Sequence, residues 1–201
     1  MEITVSMIKD LREKTGAGMM DCKNALTESG GDIEKAMDFL RQKGLATAKK
    51  RAGRDTKEGQ VHPYIHGGDK LGVLVEVNCE TDFVAKTDQF KELTHNLAMH
   101  IAASSPLCVD RESVPGAVLE KEKAILKAQA LDSGKPENIV EKMVEGRLKK
   151  FYSEVCLLEQ PYVKNPDITV QDMLNEAIAQ LGENVNIRRF VRFQLGEELE
   201  D

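Results

Sequence analysis

The 201-residue sequence has no tryptophan and is poor in aromatic residues, which make up 4% of the chain. It has no apolar run close to the roughly 20 residues that cross a bilayer, so we expect no membrane contact. Its first residues lack the basic start and apolar core of a signal peptide, which favours a cytoplasmic location. The four cysteines are scattered without a CxxC pair, and we expect free thiols in a reducing compartment.

The chain also lacks the excess of basic residues that general nucleic-acid binding requires. Its formal net charge is −6, with an isoelectric point near 5.4, whereas contacts to phosphates depend on a surplus of Lys and Arg. The most basic run lies between Lys49 and Lys57, where acidic residues and a glycine dilute its charge. We interpret residues 45–60 as a solvated, partly helical linker, and RNA binding through this run stays an alternative.

Sequence signatures of catalysis are missing as well. The chain has no GxxxxGK(S/T) nucleotide loop and neither the GxSxG nor the HExxH pattern. His62 and His66 lie too far apart along a strand to share a metal ion easily, and His95 and His100 point in different directions on a helix. The sequence therefore predicts a binding or regulatory protein rather than an enzyme, with no cofactor and no metal.

The first 45 residues carry the pattern of three short helices. Thr4 caps the first helix and Gly16 ends it, the second spans about 19–29, and Asp32 caps a third that Gly44 closes. A bundle of this size is too small to hold a catalytic pocket, so we expect it to bind a partner.

The remaining chain alternates strands and helices, which predicts an α+β fold with a small antiparallel sheet. A hairpin has arms at 61–66 and 71–77, and period-2 alternation predicts a last strand over 185–195. The sequence predicts a proline-bounded extended loop at residues 160–166. The sequence predicts a helix over about 88–103 and another over 169–181. Between them, helices over about 114–131 and 137–156 form a projecting hairpin at about 113–156, which turns at residues 133–136.

A strand-to-helix corner joins the buried strand 71–77 to the helix that starts near Asp88. It consists of Thr81, Asp82, Phe83 and Val84, here called the corner motif. In the structural interpretation, Asp82 caps a helix and Phe83 packs inward. In the functional interpretation, the corner presents these side chains outward.

Several stretches together resemble bacterial elongation factor Ts. They follow one another in the family's order from about residue 4 to residue 196, and the combination is far more specific than a single short motif. The matching stretches are residues 11–23, 76–85, 100–104, 141–147, 160–163 and 181–189.

The resemblance implies a guanine-nucleotide exchange factor for the translational GTPase elongation factor Tu. It further implies a ubiquitin-associated-like three-helix domain over 1–53, followed by a core dimerisation and exchange domain over 54–201. A ubiquitin-associated-like adaptor that binds peptides is the alternative, suggested by the bundle alone. That alternative leaves residues 60–196 without a role.

The resemblance also assigns roles to individual residues. The phenylalanine of the corner motif would insert between two helices of the GTPase domain, with Asp82 touching the same region, so that the phosphate loop and the Mg²⁺ site are disturbed and GDP leaves. Further residues would bind elongation factor Tu in the bundle, in the 160–163 stretch and near 181. These are Arg12, Met19, Met20, Lys23, Tyr162, Val163, Leu181 and Gly182.

The chain departs from longer members of that family in one respect. Those members carry two related core halves, whereas this sequence has one strand–corner–helix unit, followed at its end by residues 181–195. The resemblance therefore implies a short form that dimerises and binds elongation factor Tu in a two-to-two complex. Direct nucleic-acid contact is not expected.

Overall fold

Three helices begin the fold in the computed structural model, which describes residues 3–132 and 136–198. Thr4 accepts a hydrogen bond from the Met7 amide, and Asp32 accepts one from the Lys35 amide, so both predicted N-caps are present. Gly16 ends the first helix in the left-handed region at φ 64°. The helices are α1 (Val5–Thr15), α2 (Met19–Glu28) and α3 (Ile33–Arg51).

The bundle encloses a small core of its own. Its fully buried members come from all three helices, and Ile3, Met7 and Phe39 are among the partly buried side chains packed against them. The buried residues are Leu11, Cys22, Ala25, Leu26 and Ala36.

The third helix continues past Gly44 to Arg51, so the predicted stop at Gly44 is wrong. The expected partly helical linker over 45–60 is helical up to Arg51, and a strand begins within it at Glu58. Gly44 is buried, and a Cβ there would lie 3.6 Å from the Cβ of Ala179. An internal glycine costs a helix about 1 kcal/mol relative to alanine, and the helix-favouring residues 45–51 offset that cost. The connection to the first strand therefore shortens to residues 52–57.

Two sheets follow, one of three strands in the order β1-β2-β5 and one of two. In the central strand β2, Val73, Val75 and Val77 alternate into the core, as the sequence pattern predicts. The strands are β1 (Glu58–Ile65), β2 (Leu71–Cys79), β3 (Pro161–Tyr162), β4 (Asn165–Thr169) and β5 (Val185–Gln194).

The stretch predicted as an extended loop at 160–166 is instead part of the two-stranded sheet. Strands β3 and β4 pair antiparallel, with Pro161 opposite Thr169 and Tyr162 opposite Asn165. The offset between these pairs marks an irregularity in the register. Proline has no N–H to donate to a ladder, so within sheets it is confined to edge strands, to the first residue of a strand or to bulges. Pro161 is the first residue of β3.

Five further helices complete the described fold, and α6 and α7 form the predicted hairpin. The turn predicted at 133–136 falls mostly on residues 133–135, which lie outside the described residues. In the part of the chain that is described, no helix is long and apolar enough to cross a membrane. The helices are α4 (Asp82–Ala85), α5 (Asp88–Ser104), α6 (Gly116–Leu131), α7 (Glu137–Val155) and α8 (Val170–Leu181).

By its contacts the chain groups into two compact units. The first combines residues 3–60 with 77–93 and 172–186, and the second combines 61–76 with the described parts of 94–171 and 187–198. The first unit therefore contains the bundle, the corner motif and most of α8. The domain division at residue 53 stays a prediction, because contact grouping does not test which segment folds by itself.

Candidate partner-binding site

The corner motif begins at a threonine cap. Thr81 has extended backbone angles, and its Oγ1 accepts a hydrogen bond from the Val84 amide at 3.4 Å. Asp82 therefore does not cap the helix, which corrects the first half of the structural interpretation. Its carboxylate instead accepts a hydrogen bond from Lys86 Nζ at 2.6 Å, and this bond and the lysine charge lower the pKa of Asp82.

Phe83 points away from the protein, with 84% of its surface exposed. The single turn of α4 directs Ala85 inward and leaves Val84 half-buried, so the phenylalanine falls on the outer side. The interpretation in which Phe83 packs inward is therefore wrong. Leaving a phenylalanine in water forgoes about 1.5–3 kcal/mol of burial energy, which a partner can recover.

The backbone at the start of the corner is held by a carboxylate from far along the chain. Glu183 Oε2 accepts hydrogen bonds from the amides of Glu80 at 3.1 Å and Thr81 at 3.0 Å. Glu183 Oε1 accepts a further hydrogen bond from Thr81 Oγ1 at 2.6 Å. The sequence interpretation missed this residue, although it lies inside one of the stretches that resemble the family.

The next residue completes the same junction. The Asn184 amide donates to Glu80 Oε1 at 2.7 Å, and Asn184 Nδ2 donates to the carbonyl oxygen of Arg54 at 2.9 Å. The Asn184 hydrogen bond is the main cause that lowers the pKa of Glu80, with the charge of Arg54 adding to it. Two residues from each side of the junction thus fix one another.

The candidate contact residues of the bundle all have accessible side chains. Met19 and Met20 are exposed apolar residues at the start of α2, and Arg12 and Lys23 are exposed cations. Their roles stay predictions. Met, which is flexible and polarisable, suits a surface that adapts to a partner.

The end of α8 connects this bundle to the corner within the first unit. Gln180 Nε2 donates a hydrogen bond to the Thr15 carbonyl oxygen at 2.7 Å, at the end of α1. Leu181 is half-buried, and Gly182 is exposed at φ 79°, a conformation that favours glycine. The predicted contact residues at 12–23, 81–84 and 181–182 therefore belong to one hydrogen-bonded region.

The candidate residues of the second unit differ from each other in exposure. Tyr162 is 6% exposed, and its ring lies 6.0 Å from that of His100 between centroids. Val163 has the accessible side chain of the two. A contact made by this stretch would therefore use Val163 directly, with Tyr162 as its support.

A buried histidine fixes the position of Val163. The Val163 amide donates to His100 Nδ1 at 3.2 Å, so that nitrogen carries no proton, and Nε2 donates to Gln160 Oε1 at 2.9 Å. Gln160 Nε2 in turn donates to the carbonyl oxygens of Ser104 and Glu154. Burial lowers the pKa of His100, which keeps the imidazole neutral.

This arrangement predicts acid-sensitive stability. Because the pKa of His100 is lowered on folding, the unfolded chain binds its proton more tightly, and stability falls as pH drops below the ordinary value of 6.5. We expect His100→Gln to make stability fall less steeply below pH 6.5, where one such group contributes up to about 1.4 kcal/mol per pH unit. The measurement is urea unfolding at a series of pH values.

Two other groups bear on the pH measurement. The ring of Tyr162 packs against His100 in both proteins. His62, whose pKa is lowered by burial and by the charge of His95, is present in both proteins, so its effect cancels. Parallel stability curves for wild type and variant would contradict the neutral role of His100.

Two of the buried cysteines and two arginines of the basic run make contacts within the described residues. Cys108 and Cys156 lie 3.8 Å apart between sulfur atoms, and burial raises the pKa of Cys156 to about 12, so its thiol is protonated. Within residues 3–132 and 136–198, no group of three or more His, Cys, Asp or Glu could hold a metal ion. In the basic run, Arg51 donates to the Ile178 carbonyl oxygen and Arg54 pairs with Glu80.

Comparison with known proteins places the chain among its relatives. The sequence profile described as elongation factor TS matches residues 46–197. Elongation factor Ts of Carboxydothermus hydrogenoformans is 68% identical over 197 residues, covering 98% of this chain and 91% of that protein. Elongation factor Ts of Moorella thermoacetica is 65% identical over 195 residues, covering 97% of this chain and 96% of that protein.

The matches to these two relatives extend over nearly the whole chain, so they include most of the bundle, which begins before the profile match at residue 46. Their names define the class of protein, a translation elongation factor of protein biosynthesis. Within that class, the chain belongs to the elongation factor Ts family. The resemblance found in the sequence is thereby confirmed, and the α+β fold class predicted with it is the one observed.

Proposed function

We propose that the chain is a guanine-nucleotide exchange factor for elongation factor Tu and that the corner motif is its exchange wedge. The observation that carries the proposal is the 84% exposure of Phe83, on a corner whose backbone is fixed by Glu183. Large aromatic side chains presented on a rigid support are typical anchors of protein interfaces. The factor acts in the cytoplasm, needs no cofactor, and makes or breaks no covalent bond.

The wedge acts by competing with the nucleotide for one arrangement of the partner. GDP in a GTPase is held by backbone N–H groups around its phosphates and by Mg²⁺. A side chain that binds better when those groups are displaced must weaken GDP binding by the same factor, since coupling is reciprocal. Phe83 fills an apolar space in the partner, and Asp82, paired with Lys86, directs its approach.

One aromatic anchor is too weak to displace a tightly held nucleotide. Burial of one phenylalanine supplies about 1.5–3 kcal/mol, so further contacts must contribute. We propose that Arg12, Met19, Met20 and Lys23 supply them from the bundle. The turn formed by Leu181 and Gly182, and Val163 supported by Tyr162, would then add contacts elsewhere on elongation factor Tu.

Reciprocal coupling gives a direct equilibrium test. Nucleotide-free elongation factor Tu mixed with this chain should migrate as one complex in size-exclusion chromatography, and added GDP with Mg²⁺ should dissociate it. Adenosine diphosphate at the same concentration serves as the control nucleotide. Failure to form the complex, or a complex that ignores GDP, would overturn the proposed function.

We further propose that the three-stranded sheet pairs with the sheet of a second copy. On β2, Val73 and Val75 are buried, whereas Leu74 on the opposite side is exposed. A Cβ at Gly72 would lie 3.1 Å from Ile65 Cδ1, which places Ile65 over the same side as Leu74.

The last strand, which neighbours β2, adds exposed apolar side chains. Arg189 Nε donates to Glu76 Oε2 at 2.7 Å, and Arg188 Nη1 donates to Glu76 Oε1 at 3.3 Å, so β5 lies beside β2 at this place. Val191 and Phe193 follow at alternate positions and are exposed, Phe193 by 70%. Exposed apolar side chains on neighbouring strands favour an interaction site, and in this proposal a second copy supplies the core half that the single strand–corner–helix unit lacks.

Phe193→Glu is expected to convert the dimer into a monomer. A charge in an apolar interface must lose water without gaining a partner, which costs several kcal/mol. Light scattering over a range of concentrations measures the change in mass. Leu131→Glu, at an exposed apolar position on α6, is the control that should leave the mass unchanged. A wild-type monomer with full exchange activity would contradict the dimer.

A further inference from the structure

We propose that Glu183 is a positioning residue for exchange, joining the corner motif and the turn after α8 into one rigid element. The inference rests on the proposed function, because it explains how the wedge keeps its direction. Glu183 itself touches neither nucleotide nor Mg²⁺ in this scheme. It acts through Thr81, the residue that starts the helical turn bearing Phe83.

The N–H groups at the start of the corner motif need hydrogen-bond acceptors from elsewhere in the chain, because neither neighbouring element supplies them. Strand β2 ends at Cys79 and helix α4 begins at Asp82, so the N–H groups of Glu80 and Thr81 fall between the two. Backbone N–H groups require acceptors, and the Glu183 carboxylate supplies one oxygen to both of them. Hydrogen bonds to a charged acceptor are stronger than neutral ones, which favours a fixed geometry.

The contact is reciprocal, because side chains on both sides of the junction accept hydrogen bonds from the backbone of the other side. While the Glu183 side chain accepts from the backbone of Glu80 and Thr81, the Glu80 side chain accepts from the backbone amide of Asn184. Gly182 at φ 79° permits the turn that brings Glu183 to this place directly after α8. Each side of the junction therefore holds the main chain of the other.

The helical turn that carries Phe83 depends on this support. Helix α4 has four residues, far fewer than a helix needs to be stable alone in water. Its N-cap is Thr81, whose hydroxyl donates to Glu183 Oε1 while accepting from the Val84 amide. Loss of the carboxylate frees the cap, so Phe83 samples several directions and the partner must order it on binding.

A carboxylate-to-amide comparison separates positioning from charge. Glu183→Gln keeps a carbonyl oxygen for the two amides and places an NH₂ group where it can donate to Thr81 Oγ1. Glu183→Ala removes all three acceptor contacts. Because the alanine variant loses three hydrogen bonds to a charged acceptor, we expect it to lose about tenfold or more in exchange efficiency, whereas the glutamine variant should retain most of it.

The experiment measures release of a fluorescent GDP derivative from elongation factor Tu at increasing concentrations of each variant. Glu159→Ala is the matched control, because Glu159 pairs with Arg111 in the second unit and should leave release unchanged. Combining Glu183→Ala with Phe83→Ala should be little slower than Phe83→Ala alone, since an absent wedge cannot be misdirected. Additive losses would overturn the positioning role.

Amide hydrogen exchange provides a readout that does not depend on elongation factor Tu. In the isolated protein, the amides of Glu80 and Thr81 should lose protection in Glu183→Ala and keep it in Glu183→Gln. Unchanged protection in the alanine variant would overturn the inference even if that variant were inactive. Wild type that fails to accelerate GDP release would instead overturn the proposed function, so the two failures are distinguishable.

Discussion

Phe83→Ala is expected to slow exchange strongly while leaving the protein as stable as wild type. The lost interface burial of about 1.5–3 kcal/mol corresponds to roughly a 10- to 100-fold lower efficiency of GDP release. In the free protein the side chain is 84% exposed, so its removal opens no cavity. Changes at such surface positions usually alter the free energy of unfolding by less than about 0.5 kcal/mol.

The two halves of this prediction are measured separately. Stopped-flow release of a fluorescent GDP derivative gives the exchange efficiency, and urea unfolding gives the stability. Phe83→Leu keeps part of the apolar surface and should fall between wild type and alanine. If Phe83→Ala exchanges GDP at the wild-type rate, the corner motif is not the wedge.

Phe90→Ala is expected to have the opposite signature, with a large loss of stability. Phe90 lies seven residues further on in α5 and is 0% exposed. Truncation of a buried phenylalanine costs about 3–5 kcal/mol, from lost burial and from the cavity that remains. Since natural domains are stable by only about 5–15 kcal/mol, this variant will be close to unfolding at assay temperature.

The comparison of the two phenylalanines is informative because the chemical change is identical. Urea or thermal unfolding of Phe90→Ala measures the predicted loss, and exchange per folded molecule should change little at low temperature. A Phe90→Ala protein as stable as wild type would contradict the assigned core. The reverse pattern, with Phe83→Ala unstable and Phe90→Ala inactive but stable, would contradict both assignments.

Much of the fold follows from short-range sequence signals. Thr4 and Asp32 act as N-caps and Gly16 as a C-terminal stop, because these residue types satisfy or terminate a helix locally. Gly44 shows the limit of that approach. Local rules predict that a helix ends at a glycine such as Gly44. That Gly44 instead lies against Ala179, which is distant in sequence, is not visible to such rules.

The strand β5 shows a second limit. Its alternation predicts a strand, yet Val185 and Ile187 are buried while Val191 and Phe193, at the same parity, are exposed. Periodicity identifies an apolar face, but it does not tell whether the chain itself covers that face along its whole length. The uncovered part is the surface to which the dimer is assigned.

The candidate site depended on more than local pattern. From its residues alone, the corner allowed both a packed and an exposed Phe83, and the resemblance to the family favoured exposure. The supporting contacts were not accessible to the same reasoning. Glu183 reaches Thr81, and His100 reaches Val163, across long stretches of sequence, and single-sequence periodicity carries no information about such pairs.

The central claim is that this chain accelerates GDP release from elongation factor Tu. The most direct measurement is stopped-flow release of a fluorescent GDP derivative from elongation factor Tu, with the chain at substoichiometric concentration and unlabelled GDP in excess. The expected result is a release rate that rises with the concentration of the chain, with each molecule acting many times. Release at the intrinsic rate of elongation factor Tu at every concentration would contradict the exchange role.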